Sequence, residues 1–184
     1  MISLFPHARA ASAYAVPYSR LRADGFRGII FDIDNTLVPH GAPADEKSRH
    51  LFAQLAEMGF ELALISNNDE ERVRPFAEAV KAYYVTKAGK PLVRGFEEAM
   101  RIMGTTASDT FLVGDQIFTD IWGGRAAGIF SILVNPVDPS KETPFIYLKR
   151  VLEKPVLFFY RLRQIRRRPL IRAMREKRQK LKKG

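Results

Sequence analysis

The sequence predicts an α/β fold, a parallel sheet with helices on both faces. Three observations carry this reading. First, five short runs, "RGIIFD", "ELALIS", "YYVT", "TFLVGD" and "SILVN", recur between residues 27 and 135. Each is too short and too apolar for a surface helix. Second, helical patterns separate them, and strand–helix–strand units of this size place successive strands parallel with the crossovers on the sheet faces. Third, several runs end in polar residues, and open α/β sheets bind ligands off the carboxyl ends of their strands.

The elements follow in order. Residues 1–25 carry aromatic and apolar residues without clean periodicity, and an irregular or short-helical wrap is expected. Residues 26–137 form the regular core. Gly59, Gly104 and Gly128 each lie just past a helical stretch, where a left-handed residue ends a helix favourably. Asn68 with Glu71 reads as a capping box. Pro91 suits the first position of a helix running to Met103. Residues 138–184 read as a basic amphipathic tail, helical pieces broken at Pro155 and Pro169. Phe145, Leu148, Val151 and Leu152 share one helical face, with Leu157, Phe158 and Tyr160 recurring after them; Leu170, Ile171 and Met174 share another.

Composition narrows the function classes. A chain of 184 residues supports one domain with a real core. It has no cysteine, which excludes disulfides, thiolate metal sites and a cysteine nucleophile. The run "VLFFY" is far short of the ~20 apolar residues a membrane span needs. The first twenty residues lack a basic stretch followed by an apolar one, so no cleaved signal peptide is read. Residues 145–184 hold 15 Lys/Arg against 2 Asp/Glu, a net of +13, while the remainder carries −3. Apolar faces beside such charge suit an anionic bilayer; the same charge suits phosphate backbones; a solvated charged extension is the plain alternative.

The polar strand ends define a candidate site. Asp32 and Asp34 follow the first run, and residues two apart on an extended chain point the same way. Ser66, Asn67 and Asn68 follow the second, Lys90 lies in "KAGKP" after the third, and Asp115 ends the fourth with Asp120 five residues on. Taken singly, Asp34 with Asn35 and Thr36, or Ser66 with Asn67, also read as turns, and Asp120 as a helix N-terminal charge. Converged, they give clustered acids, which repel unless a cation joins them. A hard divalent cation with oxygen ligands, Mg2+ above all, is the natural partner. Acids, a metal, a lysine and a hydroxyl make a phosphate pocket. There a carboxylate can attack phosphorus and a second carboxyl can move the proton. His7, His40 and His50 show no ligand spacing, and Trp122 reads as packing.

"DIDNT", "SNN", "KP" and "GDQIFTD" together resemble the four motifs of the haloacid dehalogenase (HAD) superfamily, in order. "GIIFDIDNTLV", "ISNNDEERV", "GDQIFTDIWGGRAAG" and "ILVNPV" resemble its subclass IIIA, YqeG-type branch, which is related to the fungal mitochondrial phosphatidylglycerophosphate phosphatase. The likeness covers roughly residues 5 to 137. It implies a Rossmann-like core and a Mg2+-dependent phosphatase working through an aspartyl-phosphate. Asp32 would be the nucleophile. Asp34 would be the acid/base and would lend its carbonyl to Mg2+. Thr36 would brace that loop. Ser66 and the Asn67 backbone would hold phosphate, and Lys90 would neutralise nucleophile and phosphate. Asp115 would ligate Mg2+ together with Asp32, and Asp120 would support from outside. Arg125 departs from the usual Asn and would alter that rim.

Caps in this superfamily enter after the first motif or between the second and third. Asp32 to Ser66 spans 34 positions and Ser66 to Lys90 spans 24, each mostly used by one crossover helix. No cap domain is expected. An uncapped site admits a phosphate on something large. The leading expectation is a lipid phosphate, phosphatidylglycerophosphate, with residues 145–184 on an anionic membrane surface and the enzyme cytoplasmic, peripheral on the inner face. The alternatives are a capless phosphatase for protein or nucleic-acid phosphate ends, and a non-catalytic RNA- or ribosome-binding module using the basic tail.

Overall fold

The computed structural model describes residues 4–141 and 144–165. In chain order it contains β1 (Ala8–Arg9), α1 (Tyr18–Ala23), β2 (Gly28–Phe31), α2 (Glu46–Glu57), β3 (Glu61–Ile65), α3 (Glu70–Val80) and β4 (Tyr83–Val85). Then come α4 (Val93–Met103), β5 (Thr110–Gly114), a π-helical turn (Ile117–Ile121), α5 (Trp122–Ala126), β6 (Phe130–Leu133) and α6 (Pro144–Ile165). The sheet is parallel throughout, in the order β1-β6-β5-β2-β3-β4. The chain steps outward from β2 to β4, then returns to lay β5 on β2's other side. That reversal opens the crevice between β2 and β5 at their carboxyl ends, where such sheets bind ligands.

Side-chain alternation explains the two layers. Ile29 and Phe31 of β2 face one side with Phe111, Val113 and Phe130, and are covered by Phe52 and Leu55 of α2, Phe76 of α3 and Leu21 of α1. Ile30, Ala63, Ile65 and Leu112 face the other, under Phe96, Ala99 and Met103 of α4. Burying each such aromatic or aliphatic side chain contributes about 1.5–3 kcal/mol. The predicted α/β sheet with helices on both faces and the five predicted strands are all present. Gly59, Gly104 and Gly128 take the expected left-handed conformation, with φ of 80°, 63° and 77°. Only single crossover helices join β2 to β3, β3 to β4 and β4 to β5, so no cap domain is inserted there.

Four expectations are corrected. Residues 4–25 supply two short helical segments and also a strand: β1 extends the sheet, pairing Ala8 with Ile132, too short to show a period of two. Asn68 forms no capping box; α3 starts one residue later behind Asp69, and the Asn68 amide donates to Asp34 instead. Pro91 is not the first helical residue, since Leu92 is the N-cap of α4 and Lys90 is drawn into the site. Pro155 does not break α6, which runs 22 residues through it. A mid-helix proline costs about 3 kcal/mol. Flanking anchors offset this: Glu153 accepts the Ile117 N–H at 2.6 Å, Val156 and Leu157 pack on Ile117, Ile121 and Leu133, and the Tyr160 ring lies 6.0 Å from Phe5. Leu157 and Tyr160 thus sit on the inner face, not with Phe158. The outer face leaves Leu148, Leu152, Phe158, Phe159 and Leu162 about half exposed. The Phe145 side chain and the face of Leu170, Ile171 and Met174, with the break at Pro169, lie outside the described residues. No described helix is long and apolar enough to cross a membrane.

Candidate active site

Asp32 leaves the end of β2 with its N–H still on Val113 O of β5 at 3.0 Å. Its side chain therefore projects into the crevice, and it is 6% exposed. Lys90 reaches it from the loop after β4. The Asn67 side chain clamps the Lys90 backbone, accepting its N–H at 2.8 Å and donating to its carbonyl at 3.2 Å. So held, Lys90 Nζ lies 2.5 Å from Asp32 Oδ1 and 2.7 Å from Asp120 Oδ1. Asp120, fully buried in the π-helical turn, accepts the Gln116 N–H at 3.0 Å through its other oxygen. Asp115 follows β5, and its Oδ1 accepts the Thr36 hydroxyl at 3.1 Å.

Asp32, Asp115 and Asp120 form a buried group whose carboxylate oxygens lie within 4.8 Å of one another, close enough to share a metal ion. Asp32 Oδ2 is buried and has no hydrogen-bond partner among the described residues. A buried, unpaired carboxylate oxygen beside two more acids fits a hard divalent cation. Without one, burial pushes the Asp32 carboxyl up to about 8; Lys90 opposes the shift, while Asp120 and Asp115 add to it. Burial likewise pushes Asp115 up to about 7, against the pull of Arg150. Burial also works against the charge on Lys90, but Asp120 and Asp32 outweigh it and hold its pKa above the ordinary value.

Asp34 does not join this group. β2 ends at Phe31 and Asn35 turns the chain with φ of 62°, so the extended geometry that would aim Asp34 beside Asp32 is lost. Its carboxylate instead receives the Gly41 N–H at 2.8 Å, Asn68 Nδ2 at 2.7 Å and Arg72 Nη2 at 2.9 Å. Ser66 is buried, and its hydroxyl accepts the Asn68 N–H at 3.1 Å. Arg125 lies away from the rim. It bonds the ring of His7, which also accepts the Ser131 N–H and stacks on Phe130, fastening the β1 edge. Trp122, expected to pack, is 41% exposed.

Two arginines at the site escaped the sequence reading. Arg72 is one helix turn past "SNN", the only signal that marked it. Arg150, on α6, pairs with Asp115 and was indistinguishable among the tail's basic residues.

Gly114 explains how β5 and the π-helical turn approach so closely. A Cβ there would stand 2.6 Å from Asp120 Cβ. Gly114→Ala is therefore expected to displace Asp120 from Lys90, costing about 1–3 kcal/mol by overpacking and most of any activity. Denaturant unfolding checks this, and parental stability would contradict it.

Comparison with known proteins matches residues 41–128 to the model of the haloacid dehalogenase-like hydrolases. The chain is 38% identical over 122 residues to the probable phosphatase YqeG of Bacillus subtilis, covering 66% of this chain and 71% of that protein. It is 26% identical over 159 residues to phosphatidylglycerophosphate phosphatase 1, chloroplastic/mitochondrial, of Arabidopsis thaliana, covering 78% of this chain but only 44% of the plant protein. Its fold is similar to that of the cobalt-bound deoxy-D-mannose-octulosonate 8-phosphate phosphatase of Haemophilus influenzae, with a TM-score of 0.50 at 15% identity, over 73% of this chain and 90% of that one.

Proposed function

Since the chain belongs to the haloacid dehalogenase-like hydrolases, as a phosphatase of the YqeG type, we propose that it hydrolyses a phosphomonoester through Asp32, with phosphatidylglycerophosphate as the substrate. The observation that carries the chemistry is the unpartnered Asp32 Oδ2 at the end of the central strand, beside Lys90 and two further acids. Asp32 Oδ2 attacks phosphorus, forming an aspartyl-phosphate as the ester oxygen departs. Asp34, oriented by Asn68 and Arg72, gives that oxygen its proton. It then takes one from water, which attacks the phosphoryl group, releases inorganic phosphate and restores Asp32. Lys90, the Ser66 hydroxyl and the backbone at Asn67 hold the phosphoryl oxygens. Asp32, Asp115 and the Asp34 carbonyl hold Mg2+, with Asp120 in support. Bound there, Mg2+ neutralises charge on the transferring group.

The lipid assignment rests on the plant relative's activity, on the capless site and on α6. The outer face of α6 offers Leu148, Leu152, Phe158 and Phe159 to a surface. Fifteen basic residues between 145 and 184 favour an anionic one, each by about 1 kcal/mol in a salt-sensitive way. Leu92 and Trp122, two positions beyond Lys90 and Asp120, are also exposed. This places the enzyme peripherally on a membrane.

Phosphate release with Mg2+ tests the reading. Phosphatidylglycerophosphate in vesicles should be turned over faster than a soluble phosphomonoester, a phosphopeptide or a 5′-phosphorylated oligonucleotide. Replacing Phe158 and Phe159 by Ser should slow the vesicle reaction at least ~10-fold, the loss expected when buried aromatic area is removed, and leave the soluble one unchanged. Fastest turnover of the oligonucleotide, or RNA displacing the vesicles, would assign the tail to nucleic acid.

The raised carboxyls set a second expectation. An acid whose pKa lies higher in the folded state than its ordinary 3.8 keeps its proton longer when folded. Folding stability then falls as pH rises from about 4 to about 8. Metal-free protein should melt lower near pH 8 than near pH 5. Mg2+ should raise the melting temperature more at the higher pH, where it displaces fewer protons. A Mg2+ effect independent of pH would contradict the assignment.

A further inference from the structure

Arg150 has no part in the chemistry above, yet its guanidinium lies on the site's acids. Nη2 donates to Asp115 Oδ2, and Nη1 donates to the Asp115 carbonyl at 2.6 Å. Glu153, one turn on, flanks it at 3.6 Å. The other Asp115 oxygen receives Thr36. Both carboxylate oxygens thus already carry protein donors, and a divalent cation must share one or take one over.

The charges decide between these. With Asp32, Asp115 and Asp120 ionised, Lys90 and Arg150 leave the cluster one net negative charge. Adding a dication beside both would make it net positive in a space poor in water, where like charges a few ångströms apart repel strongly. With Arg150 withdrawn, the cluster is neutral. Lys90 is not the group to leave, for it is bonded to two acids and its backbone is clamped by Asn67. Arg150 rides on α6, whose opposite face is exposed.

We propose that Arg150 and the divalent cation are alternative occupants of Asp115, so that metal binding and the seating of α6 oppose each other. This rests on the metal-dependent phosphatase reading. Such coupling is reciprocal. Cation binding loosens α6 at Asp115, and an anionic bilayer drawing on the outer face of α6 raises cation affinity. Glu153 on Ile117, Tyr160 on Phe5, and Leu157 on Ile121 keep the helix tethered while the occupant changes. The site then takes up its metal where the lipid substrate lies.

Mn2+ titration followed by electron paramagnetic resonance, with amide hydrogen exchange over residues 147–162, tests this on the full chain. Arg150→Gln should bind Mn2+ about ten-fold more tightly, within the usual range of such couplings. Arg72→Gln removes the same charge from Asp34 rather than Asp115 and should change affinity less than about two-fold. Mn2+ should speed exchange in α6 of the parent protein but not of Arg150→Gln. Phosphatidylglycerol vesicles, unlike phosphatidylcholine ones, should tighten Mn2+ binding by the parent alone. If Arg150→Gln folds poorly, Arg150→Lys, which keeps the charge but not the forked contact, should still bind Mn2+ more tightly than the parent. Mn2+ binding that Asp115→Ala abolishes, with α6 exchange unchanged or slower, overturns the coupling and leaves the site reading standing. Equal tightening by Arg72→Gln and Arg150→Gln overturns it as well. No Mn2+ binding by the parent overturns both.

Discussion

The Asp32→Asn variant is expected to lose at least ~10^3-fold in turnover, the scale seen when a nucleophile is removed, while unfolding no more easily than the parent. An amide cannot attack phosphorus, and it is a poorer ligand for a hard cation. The stability half of the expectation comes from burial. Asp32 is shielded from water with one oxygen unpartnered, and its carboxyl is pushed up to about 8 by that burial. An uncharged isostere removes a desolvated charge, and its oxygen can still accept from Lys90. Activity assays beside thermal melts in chelator separate the two effects. Turnover within a few-fold of the parent would remove Asp32 from the nucleophile's role.

The Lys90→Met variant should lose both activity and fold stability, the latter by about 3–5 kcal/mol, the usual cost of stripping one partner from a buried ion pair. Lys90 compensates two buried carboxylates at once. Without it Asp32 and Asp120 face each other unpaired. Adding Asp32→Asn to Lys90→Met should recover part of the lost stability without recovering turnover, a non-additivity a double-mutant cycle measures directly. Additive losses would mean that the lysine acts through some contact other than these acids.

Much of this was legible in the sequence because apolar runs mark buried parallel strands plainly. Asp32, Ser66, Lys90 and Asp115 stand at or just beyond strand ends, where the fold brings them together without further information. What escaped notice depended on tertiary contacts. β1 is two residues long and is made a strand by its partner. Pro155 is tolerated because side chains on either side are anchored. Asp34 turned from the acids because Asn35 bends the chain and two donors from the start of α3 await it. Arg72 and Arg150 carry nothing in their local sequence to distinguish them from solvent-facing arginines, since what defines them is the acid across the crevice.

The pairing of β1 with β6 bears on how the chain is made. Ala8 must wait for Ile132, 124 residues later. At ordinary synthesis speeds that delay is roughly 6 to 25 s. Contacts this distant in sequence close slowly, and until they close β6 presents an open edge of unpaired backbone groups, the kind of edge that other chains can join. His7 and Ala10 also take their backbone partners from Ser131 and Leu133, so the whole leading segment stays unattached while the ribosome works. A nascent chain stalled between β5 and β6 would hold the nucleophile strand already sandwiched between β3 and β5 but lack its outer border. Chaperone dependence during translation should therefore concentrate in that interval.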